Sequence, residues 1–144
     1  MRLFTIGFTQ KSAEHFFSLL KESGAKRVVD VRLHNISQLA GFSKRDDLRY
    51  FLRAICGMDY IHLPVLAPTS AMLDEYKKGK GGWPQYERKF LSLVRSRRIE
   101  DAVDRRILSG SCLLCSEDKP DHCHRRLIAE YLQKQWGGVD IVHL

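Results

Sequence analysis

The chain has 144 residues, 44% of them apolar, which is enough for one domain (1–144) with its own core and no need of metal or disulfide staples. Its 24 Lys and Arg against 17 Asp and Glu give a formal charge of +7 and a pI near 9.4, a field that suits anionic partners such as nucleotides or nucleic acid, and equally a plain soluble basic surface. No run approaches the roughly 18 to 20 apolar residues of a membrane span, and the first residues turn polar too soon for a secretory signal. The expected compartment is therefore the cytoplasm, with no membrane partner, and nothing points to a particular protein partner.

In chain order, the first strand is expected over Leu3 to Phe8. Ser12 then caps a helix that carries Phe16, Phe17, Leu19 and Leu20 and stops at Gly24. A second strand follows over Arg27 to Arg32. Ser43 is expected to open a second helix, with Asp46 completing an approximate capping box and Leu48, Phe51, Leu52 and Ile55 as its buried stripe. The third strand is Tyr60 to Leu63. Lys77-Lys78-Gly79-Lys80-Gly81-Gly82 reads as a flexible basic insertion, either a solvated loop or a lid over an anion, with Trp83 directly after it. It lacks the spacing of a phosphate-binding P-loop.

Pro84 fits the first turn of a helix containing Tyr86, Phe90, Leu91 and Val94, and a fourth helix is expected from Ile99 to Leu108. The fourth strand is Ser111 to Ser116. The last helix starts near Asp121, buries Leu127, Ile128, Tyr131 and Leu132, and ends before Gly137-Gly138, leaving Val139 to Leu144 as the fifth strand. Strands alternating with helices indicate an α/β fold: an open, mostly parallel five-stranded sheet with helices on both faces, a Rossmann-like three-layer arrangement. Successive apolar residues in Val28-Val29-Asp30-Val31 and Cys112-Leu113-Leu114-Cys115 agree with strands covered on both faces.

In such a sheet, ligands bind beyond the carboxyl ends of the strands. The residues expected there are Gly7 and Thr9, Asp30 and Arg32, His62, then Cys115 and Glu117, with Cys123, His124 and Arg125 opening the final helix. His124, Ile128 and Tyr131 fall at i, i+4 and i+7, so His124 should face the core. Cys123 should sit in the first helical turn, where the macrodipole lowers a thiol pKa and Arg125 and Arg126 could flank an anion. Asp30 and Arg32 share a strand face and are either a structural ion pair or part of the site.

The four cysteines, at 56, 112, 115 and 123, are expected as reduced thiols, with Cys56 and Cys112 in ordinary helix and strand positions. Cys115, Cys123 and His124, with Glu117 or His122, would suit zinc by ligand type, but seven residues separate the two cysteines and no short C-x-x-C pair is present, so neither a metal nor a redox disulfide is expected. No cofactor is expected. Arg45, Arg49 and Arg53, and the cluster Arg95, Arg97 and Arg98, are either phosphate-tracking rows or solvated helix faces.

These motifs resemble those of the uncharacterised proteins of the domain of unknown function 488 (DUF488) family. The resemblance rests on Thr5-Ile6-Gly7-Phe8-Thr9, Asp30-Val31-Arg32, Tyr60-Ile61-His62-Leu63-Pro64, Cys115-Ser116-Glu117, Cys123-His124-Arg125 and Val142-His143. It implies an α/β fold with these polar residues around one site, and no substrate. Two departures stand out: Phe8-Thr9 where the family has His-Ser, and Leu66-Ala67-Pro68 where it has Leu-Gly-Gly.

Two functions are in play. One is an enzyme, a hydrolase or transferase, acting on an anionic, phosphate-bearing substrate such as a nucleotide or nucleic acid. Arg32, Arg125, Thr9 and His62 would bind that substrate, Glu117 or Asp30 would act as acid or base, and Cys123 would be the nucleophile, with Cys115 and His124 beside it. The alternative is a non-catalytic nucleic-acid or nucleotide-binding module with a basic surface.

Overall fold

The computed structural model describes residues 1–36 and 41–144. Among these residues the strands are β1 (Arg2–Gly7), β2 (Arg27–Asp30), β3 (Asp59–His62), β4 (Ser111–Cys115) and β5 (Asp140–His143), each within two residues of its expected bounds. All neighbouring pairs are parallel, in the order β3-β2-β4-β1-β5. Gly7 pairs in register with Cys115, and Asp30 with Leu114, so β1, β2 and β4 end side by side. Those three ends carry the polar motifs.

Successive strand residues are buried in opposite cores, which is why these runs are apolar at every position. Phe4, Ile6, Val28, Cys112 and Leu114 pack with Phe16, Phe17, Leu20, Leu48 and Leu52 on one face. Leu3, Val29, Leu113 and Cys115 pack with Phe90, Val94, Leu127, Ile128 and Leu132 on the other. The first group meets α1 (Ala13–Ser23) and α2 (Arg45–Phe51). The second meets α4 (Gly82–Arg97) and α7 (His124–Trp136); α3 (Ser70–Lys77) precedes α4 in sequence, and α5 (Ile99–Ala102) and α6 (Arg105–Leu108) lie between α4 and α7. The result is the three-layer α/β architecture expected from the alternation of strands and helices.

Local signals held where a side chain could cap the backbone. Ser12 accepts the N–H of His15 and Gly24 closes α1 with φ 77°, as expected. Ser43 does not open α2: it is buried in a preceding 3-10 turn, and Lys44 occupies the cap position without a side-chain bond. After Phe51 the helix widens into a π turn over Leu52–Cys56. That wide turn departs from the 3.6-residue period, so only Leu48 and Leu52 of the expected stripe are buried, while Phe51 and Ile55 are 37% and 44% exposed.

The expected helix from Ile99 to Leu108 is two short ones. Val103 is extended, and the Asp104 carboxylate accepts the N–H of Arg106 and starts a new helix. Helix α3, capped by Thr69, was not expected from the pattern. Its presence turns the supposed basic insertion into the link between α3 and α4, where Gly79, Gly81 and Gly82 adopt left-handed backbone. No helix among the described residues is long and apolar enough to cross a membrane.

Candidate functional site

The ends of β2 and β4 and the start of α7 enclose a cleft of ≈ 310 Å³. Its wall holds Cys115, Ser116 and Glu117 from the end of β4, Cys123 and His124 from the start of α7, and Arg32 from beyond β2. The opposite side is aromatic: Tyr76 from α3 with Trp83 and Tyr86 from α4. Trp83 stacks on His122 at 5.0 Å and on Tyr86 at 5.3 Å. Arg32 and Lys77 are set against one carboxylate, Glu117, so the lining carries a small positive excess that suits an anion, and His34, His122 and His124 add imidazole rings.

Cys115 and His124 meet at the cleft wall. His124 Nε2 lies 2.7 Å from the carbonyl oxygen of Val31, which can only accept, so Nε2 carries a proton and donates it. The other ring nitrogen, Nδ1, is left facing Cys115 Sγ at 3.5 Å. Cys123 adds its sulfur to the same group, with the three donor atoms within 4.8 Å of one another. The seven-residue spacing that argued against such a cluster is bridged because a loop carries the chain from the end of β4 back to the start of α7 against the same strand.

The two thiols differ in acidity, and not in the sense expected. For Cys115, burial works to raise the pKa, but the Cys123 hydrogen bond, the Arg125 charge and the N–H groups of Glu117 and Ser116 together bring it below the ordinary thiol value. Cys123 is pushed well above it, first by burial and then by its bond and proximity to Cys115. The expectation that the α7 macrodipole would make Cys123 the thiolate is therefore corrected. Cys123 caps the helix with its backbone extended, and its buried thiol serves as a donor to its neighbour.

Arg125 is also not a clamp facing the cleft. It is 1% exposed and donates to Thr5 Oγ1 and to the carbonyl oxygens of Glu117 and Asp118. Thr5 Oγ1, having accepted from Arg125, has its own proton to give to His143 Nδ1 at 2.6 Å. One guanidinium thus ties β1, β5 and the loop after β4 to α7. A Cβ on Gly7 would overlap the Glu117 carbonyl and come within 2.9 Å of Arg125 Nη1, which is why glycine ends β1. Thr9 holds the same loop, its N–H and its hydroxyl both donating to the Ser116 carbonyl. Arg126 turns outward to Glu87, Glu130 and the Asp121 carbonyl, so the pair expected to flank an anion is split.

Asp30 and Arg32 are the structural ion pair of the two alternatives. Arg32 Nε and Nη2 each lie 2.8 Å from an Asp30 carboxylate oxygen, and Asp30 also accepts the Arg32 N–H and the Tyr60 hydroxyl. Asp30 has no spare role as acid or base in this arrangement. Arg32 differs: it reaches the cleft wall, and its Nη1 is the one buried side-chain nitrogen or oxygen without a hydrogen-bond partner among the described residues. His62 does not line the cleft, and its Nε2 donates to the Arg32 carbonyl and so props the strand end. Burial and Asp30 push the Tyr60 phenol up, keeping it a neutral donor.

The arginine rows are largely engaged elsewhere. Arg45 pairs with Asp46, Arg49 lies over the Tyr60 ring, Arg98 pairs with Asp101, and Arg97 donates to the carbonyls of Val65 and Ala67. A larger groove, ≈ 430 Å³, lies on the α1–α2 face against Phe17, Phe42, Phe51 and Ile55, and its lining holds no cysteine or histidine. The site residues missed from the sequence are Tyr76, Trp83 and Tyr86. The period of Met72, Leu73 and Tyr76 after Thr69 was a legible signal for α3, whereas the facing of Trp83 was not.

A family model described as domain of unknown function DUF488 matches residues 12–132. That span includes the Cys115–Glu117 and Cys123–Arg125 segments. Thr5-Ile6-Gly7-Phe8-Thr9 and Val142-His143 fall outside it, and they are joined to it through Arg125. Comparison with curated proteins and with solved structures found no match.

Proposed function

We propose that this chain, which belongs to the DUF488 family, is an enzyme acting on an anionic, phosphate-bearing substrate, with Cys115 as its nucleophile. The observation that carries the reading is the pairing of Cys115 Sγ with His124 Nδ1 at 3.5 Å on the wall of a cleft that Arg32 and Lys77 also line. His124 is held in one tautomer by Val31, so Nδ1 takes the proton that Cys115 gives up.

The sulfur then bonds to the electrophilic centre as the bond to the leaving group breaks, and His124 returns the proton to that group. Water or a second acceptor displaces the sulfur, with the Glu117 carboxylate at the cleft wall taking its proton. Arg32, Lys77 and His122 supply attraction for the substrate anion, and Tyr76, Trp83 and Tyr86 offer an apolar wall for a ring such as a nucleobase. Cys123 positions the thiolate by donating to it.

The test uses limiting iodoacetamide at neutral pH, followed by mass mapping of the four cysteines. Cys115 should label first despite being 5% exposed, and inorganic phosphate should slow it. Cys56 is the internal control, since it is more exposed and burial pushes its thiol up. Faster labelling of Cys56 than of Cys115 overturns the assignment.

A further inference from the structure

We infer that Cys115, Cys123 and His124 form a binding site for a soft divalent cation of the zinc class, and that its occupancy blocks the nucleophile. The inference deepens the functional reading, since it concerns control of the same site.

The spacing of the three donor atoms suits shared ligation of one ion. Zinc lies about 2.3 Å from thiolate sulfur and about 2.0–2.1 Å from imidazole nitrogen, which at a tetrahedral angle separates the two ligands by about 3.5 Å. Cys115 Sγ and His124 Nδ1 are 3.5 Å apart, and the Cys123 sulfur completes a set whose atoms all lie within 4.8 Å. Nδ1 is the free nitrogen because Nε2 donates to the Val31 carbonyl at 2.7 Å, the outer bond that orients a metal-ligating histidine.

Charge balance favours the same conclusion. Two thiolates and a dication are neutral together, which suits a place where Cys115, Cys123 and His124 are 5%, 2% and 6% exposed. Two sulfurs and a nitrogen select zinc-class ions over magnesium or calcium, which take oxygen ligands. All three residues line the cleft, so the fourth corner is open to water or to the Glu117 carboxylate, which is on the same wall.

Binding is written as M²⁺ displacing the two thiol protons to form two M–S bonds, with no change of oxidation state. The Cys115 lone pair then lies in the metal bond and cannot attack a substrate. Metal and alkylating reagent become mutually exclusive at this sulfur.

Cobalt(II) is the probe, because its thiolate complexes absorb by sulfur-to-metal charge transfer. Metal-stripped protein, kept reduced with a phosphine, is titrated with Co(II) and then with Zn(II). One equivalent of Co(II) should produce the charge-transfer band, Zn(II) should abolish it, and either ion should protect Cys115 from iodoacetamide. Cys123→Ser and His124→Ala should each lose the band, whereas Cys112→Ser should keep it. Far-UV circular dichroism of each variant separates ligand loss from unfolding, and a band lost only in unfolded variants counts against the site. Absence of the band in the parent protein, or its persistence in both folded ligand variants, overturns the inference. If no metal binds but Cys115 still labels first, the nucleophile reading stands alone. If metal binds but stripped Cys115 is inert, the metal site stands and the nucleophile reading falls.

Discussion

Two polar clusters lie at neighbouring strand ends and are built to opposite ends. Around Asp30, every carboxylate oxygen is taken: Arg32 binds it twice through its side chain and once through its backbone, and Tyr60 adds a hydroxyl. Around Cys115 a thiol and two backbone N–H groups donate to one sulfur, the Arg125 charge lies nearby, and the unprotonated Nδ1 of His124 faces it at 3.5 Å. A saturated cluster holds structure. A cluster with an underused nucleophile at a cleft wall has chemistry to offer.

The sharpest way to break this contrast is to remove a partner from the saturated cluster. Asp30→Ala leaves the Arg32 charge buried and unpaired, so urea unfolding should show a loss of about 3–5 kcal/mol. The fraction that remains folded should still label at Cys115. Loss of labelling without loss of stability would show that the two clusters are one functional unit.

Gly7→Ala has the next effect, since its methyl group would displace the Glu117 carbonyl from Arg125. A cost of about 1–3 kcal/mol is expected from overpacking, together with slower Cys115 alkylation because the same loop supplies the N–H groups that stabilise its sulfur. Alkylation unchanged in Gly7→Ala would separate that loop from the thiol's acidity.

Acidity is the third probe. The alkylation rate of Cys115 should rise through its lowered pKa and level off below the pH of an ordinary thiol, about 8.5. Cys123→Ala removes a donor to the thiolate, so the profile should move to higher pH. The linkage has a matching sign: a thiol whose folded pKa is depressed contributes its full stability above the unfolded value and loses it as pH falls through the folded one. An unshifted profile would assign the acidity to Arg125 and the backbone alone.

Arg126→Ala is the smallest change. Its bonds to Glu130 and Glu87 are surface ion pairs, and unfolding should shift by about 0.2–1 kcal/mol. A larger loss would show that the outward arginine supports the α7 start as strongly as the inward one.

Much of this was legible in the residues. The five strands, the capping of α1 and the inward facing of His124 follow from period and local hydrogen bonding, which act within a few residues. The same signals failed where geometry departs from a regular period, as in the π turn that exposes Ile55, or where one side chain restarts a helix, as Asp104 does. For the site, the motif segments were located correctly. Helix position alone did not give the placement of Arg125, which is buried against Thr5 and the loop after β4 instead of facing the cleft.

What the sequence determined by itself was the layered α/β plan and the gathering of its reactive residues at the carboxyl ends of the strands, because the alternation of strands and helices is written in short-range patterns. Tertiary structure alone decided which thiol is acidic, which arginine reaches the cleft and which aromatic rings face it. Those outcomes depend on burial and on partners distant in sequence, such as Val31 for His124 and Thr5 for Arg125. Neither an electrostatic environment nor a hydrogen-bond partner across 93 or 120 residues can be read from spacing.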